Sequence, residues 1–186
     1  ALKKEYLFQK QKYNLVSINL VSWKFSKMRP SNFPTIRLAQ LANLIFENSN
    51  LFDFFIQKNI TVKQMKEKLN ISIIEGFWFS HYTFEKESIS KKKSIGKVML
   101  NSLIINTICP FLFIYGKYKG EELFCEKALV LLESITPEDN RITRLFEKEI
   151  KIKSAFETQG IIQLFNTKCL AKKCLECGVG VSLLKE

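Results

Sequence analysis

The stretch from Thr35 to Phe46 constrains the fold more than any other part of the chain. Ile36, Leu38, Ala39, Leu41, Ala42, Leu44, Ile45 and Phe46 cover most of the circumference of an α-helix, with Arg37 and Gln40 as polar exceptions. A helix of that kind is expected to lie centrally and to be largely buried. It begins just after Met28-Arg29-Pro30-Ser31-Asn32-Phe33-Pro34, whose two prolines bias their predecessors away from helical backbone and predict an ordered loop.

Helical signals recur along the rest of the chain. Leu2 to Tyr13 reads as a charged helix, and Leu15 to Trp23, without a clear period, as an irregular connector. Leu51 to Ile56 continues the apolar pattern, and Thr61-Val62-Lys63-Gln64 is a capping box opening a short helix to Leu69. The aromatic knot Phe77 to Phe84 holds the single histidine, His81, and the charged run Glu85 to Lys93 suits a linker. Ser94 is placed to cap a long helix that Pro110 kinks and Gly116 to Gly120 ends. Glu121 to Ser134 follows, then a start at Thr136-Pro137-Glu138-Asp139 running to about Ile150, then Ser154 to about Thr167.

A chain of 186 residues, 46% hydrophobic and carrying 16 phenylalanines, has enough apolar surface for one substantial core. The expectation is an all-α (mainly α) domain over residues 1–186, an irregular bundle of about six to eight helices ending in a cysteine knuckle. The apolar run Leu103 to Tyr115 is broken by Asn106, Thr107 and Pro110 and falls short of the roughly 20 residues of a membrane span. It reads as a buried core helix, with no membrane partner. The chain begins with Ala1 already in a helical pattern, as a piece of a longer protein would, and no secretory signal is visible, so a cytoplasmic location is expected.

Three of the five cysteines, Cys169, Cys174 and Cys177, fall within nine residues, which suits a metal better than a disulfide framework. Cys174-x-x-Cys177 followed by Gly178 is the pattern of a knuckle that aims two thiolates at one zinc ion. A fourth ligand would come from Cys125, Cys109 or His81. Iron–sulfur ligation is the rival, and three reduced cysteines beside a small core is the plainer alternative.

The net charge of +11 favours polyanions. Only four of the 29 basic residues are arginine, so a lysine-rich solvated surface of an AT-rich genome competes with a nucleic-acid patch. The candidate phosphate contacts are Lys63, Lys66, Lys91, Lys92, Lys93, Lys172 and Lys173. Arg29, Asn32, Arg37 and Gln40 form a polar set that could hold a phosphate or carboxylate or simply tie the proline loop to its helix. No nucleophile, metalloprotease, nucleotide or dinucleotide motif is present, which leaves a small-molecule site at His81, Arg29 and Arg37 as the enzymatic alternative to an accessory or scaffold role.

Trp23 through Ala42, then Ser80-His81-Tyr82, Ile105-Asn106-Thr107 with Pro110, Tyr115-Gly116, Gln159 to Leu164 and the cysteine ending together resemble the C-terminal half of the DUF2851 family. The resemblance implies a Bacteroidetes-type bacterial source and a parent protein whose N-terminal half is this segment's partner. It implies no activity.

Overall fold

The structure, a computed structural model, describes residues 2–17 and 23–183. It is mainly α-helical, with one two-stranded ribbon of β1 (Ser72–Ile73) and β2 (Lys93–Ser94). The chain divides into two compact units, Ala1–Leu44 with Ser72–Lys93 and Ile45–Ile71 with Ser94–Glu186.

The first unit contains α1 (Leu2–Lys12), most of α2 (Pro34–Glu47) and α5 (Phe77–Ser80). Pro34 opens α2, where its missing N–H costs nothing, after a 3₁₀ turn at Pro30–Asn32. Thr35, Ile36, Gln40 and Leu44 are the buried residues of α2. The opposite face does not match the expected all-round burial: Leu38, Leu41 and Ile45 are exposed, and Phe46 is 91% exposed. Apolar residues all round a helix permit burial on every side but do not require it. Part of the irregular connector expected from Leu15 to Trp23 lies outside the described residues.

The charged run expected to be a linker is folded back on the aromatic knot. His81 bridges Glu87, Ser88 N–H donates to the Ser80 carbonyl at 2.7 Å, and Lys91 N–H donates to that of Phe79 at 3.1 Å. Charge count alone misses this, because the segment is held through its backbone.

The second unit is built on the helix from Lys97 to Lys119, comprising α6 (Lys97–Leu103), a π turn at Ile104–Ile108 and α7 (Cys109–Lys119). Gly96, rather than Ser94, caps its start, since Ser94 is taken into β2. Pro110 lies inside it, as expected, and the wider π turn just before absorbs the register change that a residue without an N–H requires. By length and composition this helix could cross a membrane, with mean hydropathy 1.8 over its most apolar window, a third of which is buried. The expectation of a run too short to span counted Leu103 to Tyr115 alone. Leu100, Ile104, Ile105, Ile108, Cys109 and Leu112 are buried in the unit's core.

Gly120, in the left-handed conformation, closes α7 and turns the chain into α8 (Glu122–Ser134), which packs along α7. α3 (Leu51–Ile56) lays Phe52 edge-on against Phe111 and Tyr115. α4 (Val62–Leu69) carries the expected capping box and buries Met65 and Leu69. The start expected at Thr136-Pro137 is displaced. The helix α9 (Arg141–Phe146) begins behind Asn140, whose side chain accepts from the N–H groups of Ile142 and Thr143 at 2.9 and 3.0 Å. Two caps compete there, and the asparagine with a reciprocal Thr143 hydroxyl satisfies more of the free N–H groups. α10 (Ala155–Leu164) starts at Ser154 as expected and continues through a π turn to Cys169. A 3₁₀ turn at Cys174–Glu176 and α11 (Gly178–Leu183) complete the described chain.

Burial pushes the Cys109 thiol up to about 12 from an ordinary value of 9.0. Because the folded value is the higher one, the thiol's contribution to stability is intact below pH 9 and is lost as pH rises from 9 toward 12. Unfolding free energy measured in urea should therefore fall by about 1 kcal/mol per pH unit across that window. In Cys109→Ala that part of the slope should vanish.

Candidate nucleic-acid interface

The positive charge of the chain is concentrated in the first unit. Ala1–Leu44 and Ser72–Lys93 hold ten lysines and two arginines against four glutamates, a net +8 of the +11. Nine of these cations, Lys3, Lys4, Lys12, Lys24, Lys27, Arg29, Lys86, Lys91 and Lys92, are exposed. Among the described residues the ion pairs all fall in the second unit, between Lys117 and Glu122, Arg144 and Asp139, and Glu176 with both Lys168 and Lys173. The first unit's cations are thus not held in ion pairs among the described residues.

Not every expected lysine is available. Lys93 is only 5% exposed, and its ammonium donates to the carbonyls of Trp78 and Phe79, each at 2.6 Å, while lying 4.4 Å from the centre of the Tyr82 ring. Desolvation lowers its pKa. It is a staple of the aromatic knot and not a phosphate contact. Its neighbours Lys91 and Lys92 are exposed. The signal was the alternation of inward Lys93 and Ile95 at strand spacing, which a reading of charge alone passes over.

The polar set assembles around Arg37. Its guanidinium donates to Gln40 at 2.9 Å and to Asn32 at 2.7 Å, and Gln40 donates in turn to the Lys93 carbonyl at 3.1 Å. Burial lowers the Arg37 pKa, and the group stays cationic at any accessible pH. Arg29 is exposed and joins the loop through its backbone carbonyl, which accepts from Asn32 N–H at 2.8 Å. The set ties the proline loop to its helix.

The aromatic knot is a ledge of stacked rings. His81 lies on Phe77 with centroids 3.9 Å apart and planes within 16°. Its Nδ1 is 3.0 Å from the Phe77 carbonyl and 2.9 Å from the Ser80 hydroxyl. A carbonyl can only accept, so Nδ1 carries the proton, and in the neutral ring Nε2 is left as an acceptor. No hydrogen bond joins His81 to Arg29 or Arg37 among the described residues. Phe84 covers the edge of the ledge, 5.0 Å from Trp78 and 6.0 Å from Phe77, while remaining 66% exposed.

The C-terminal cysteines are all free thiols, with Cys169 and Cys174 exposed and Cys177 buried. Among the described residues no three or more histidine, cysteine, aspartate or glutamate side chains gather as a metal site. Cys125, expected as a fourth ligand, donates to the Phe113 carbonyl at 3.4 Å. Lys172 adopts a left-handed backbone (φ 52°), with Lys173 N–H returning to the Lys168 carbonyl at 2.9 Å, which closes the preceding helix. Lys173 shares Glu176 with Lys168, so the cations flanking the thiols are partly neutralised.

These observations define a mainly helical protein with a strongly basic unit organised around an aromatic ledge. The chain belongs to the family described as "Protein of unknown function (DUF2851)", whose model matches residues 1–141. The match covers the first unit and ends before the cysteine cluster. No curated protein matches the chain, and no solved structure does.

Proposed function

We propose that this chain is an accessory domain that associates with nucleic acid through the surface of its first unit. The observation that carries the reading is the net +8 of that unit, with nine exposed cations and no ion pair among its described residues. Phosphate neutralisation by lysine supplies most of non-specific nucleic-acid affinity, and it needs cations that are exposed and unpaired.

Charge reversal separates this reading from generic basicity. Lys24→Glu, Lys27→Glu, Lys91→Glu and Lys92→Glu combined should weaken binding of a labelled oligonucleotide by at least about 100-fold at low salt. The same number of reversals at exposed lysines of the second unit, Lys58, Lys97, Lys148 and Lys151, should leave affinity within a few-fold of the unaltered chain. Equal losses for both sets would show that only the total charge matters, and the reading would then fail.

A further inference from the structure

We infer that the Phe84 ledge makes the first unit a receptor for single-stranded rather than duplex nucleic acid, an inference that rests on the association proposed above. A single strand offers unstacked bases, and proteins that hold it without sequence preference combine cations for the backbone with aromatic rings on which bases stack. A duplex keeps its bases inside and offers only its phosphates and groove edges.

Phe84 has the features that a stacking ring requires. It stands 66% exposed at the turn between His81 and Glu87, yet Trp78 and Phe77 back it on the inner side. That backing is itself fixed, Phe77 by His81 stacked on it and the Trp78 and Phe79 carbonyls by the Lys93 ammonium. The returning strand is held by Ser88, whose N–H and hydroxyl both donate to the Ser80 carbonyl at 2.7 and 2.9 Å. A ring positioned in this way loses little freedom when a base covers it.

The charges around it divide the work. Glu85 and Glu87 at the tip offset Lys86, so the tip is a poor phosphate site and its free chemistry is the ring face. Lys91 and Lys92, a few residues on and exposed, are the phosphate contacts of the same loop. Phosphate on the lysines and base on Phe84 is the division a single strand satisfies.

The test compares the affinity of the full chain for a labelled thymine homo-oligonucleotide and for a duplex of the same length. Phe84→Ala should weaken single-strand binding by about 10- to 100-fold and leave duplex binding and the salt dependence unchanged. Phe84→Leu keeps the apolar bulk over Trp78 and should show the same loss, whereas Phe84→Tyr should restore affinity. Tyr118→Ala, at an exposed ring of the second unit, should change nothing. Preferential duplex binding, or Phe84→Leu binding a single strand as the unaltered chain does, would overturn the inference while leaving the association intact. Absence of binding to either probe would overturn the association, and the inference with it.

Discussion

Gly116→Ala is expected to destabilise the second unit by about 3 kcal/mol. A Cβ at position 116 would stand 2.9 Å from both the Cys125 Sγ and the Glu121 carbonyl oxygen, and 3.0 Å from Cys125 N. Two of those atoms are backbone of α8 and the segment entering it, so no side-chain rotation relieves the clash. α7 and α8 would have to separate, opening the contact that buries Leu112, Phe124, Cys125 and Ala128. The Cys125 thiol would also leave the Phe113 carbonyl. Gly160→Ala is the matched control, because nothing lies within 4 Å of its Cβ position in α10. There the methyl should stabilise by about 0.5–1 kcal/mol, the usual gain for alanine in a helix interior. Chemical denaturation of the two variants beside the unaltered chain checks both signs, and a neutral Gly116→Ala would contradict the close helix approach.

The second large effect falls on the first unit. Lys93→Ala removes the donor shared by the Trp78 and Phe79 carbonyls and leaves a void beside Tyr82. Hydrogen bonds from a charged donor contribute about 1.5–3 kcal/mol, and the part-buried Trp78 carbonyl loses its donor while that of Phe79 keeps the Lys91 N–H, so a loss of about 2–3 kcal/mol is expected. Lys91→Ala and Lys92→Ala, two positions and one position away but exposed, should leave stability within about 0.5 kcal/mol. The three adjacent lysines thus divide into one that holds the knot and two that face outward. Thermal unfolding of the three single variants reads that division directly. Equal stability of all three would show that the Lys93 staple contributes nothing.

Much of the helical architecture was legible in the sequence, because it rests on local signals. The Thr61 capping box, the Ser154 start and the left-handed stop at Gly120 are each set by side chains within a few residues of the backbone groups they satisfy. The features that were not legible depend on partners far along the chain. Lys93 is buried because Trp78 and Phe79 turn their carbonyls toward it across 14 or more residues. The face of α2 that carries Leu38 and Leu41 could be read as core only on the assumption that something covers it.

The candidate interface shows the same limit. Arg37, Asn32 and Gln40 were grouped by sequence spacing, and hydrogen bonds join them. The concentration of charge was hidden, since the two stretches that form the basic unit are separated in sequence by residues 45–71. Phe84 stood out only as one aromatic among several in its segment. Its exposure and its backing by Trp78 are properties of the folded turn.

The most direct test of the account is the salt dependence of oligonucleotide affinity. The logarithm of the association constant should fall linearly with the logarithm of salt concentration, losing at least about 100-fold between roughly 50 and 200 mM, because several lysines release counterions from phosphate on binding. Lys91→Ala or Lys92→Ala should each make that slope shallower by about one. Affinity that is undetectable at about 50 mM salt, or that does not change with salt, would contradict the assignment of the first unit as a nucleic-acid surface.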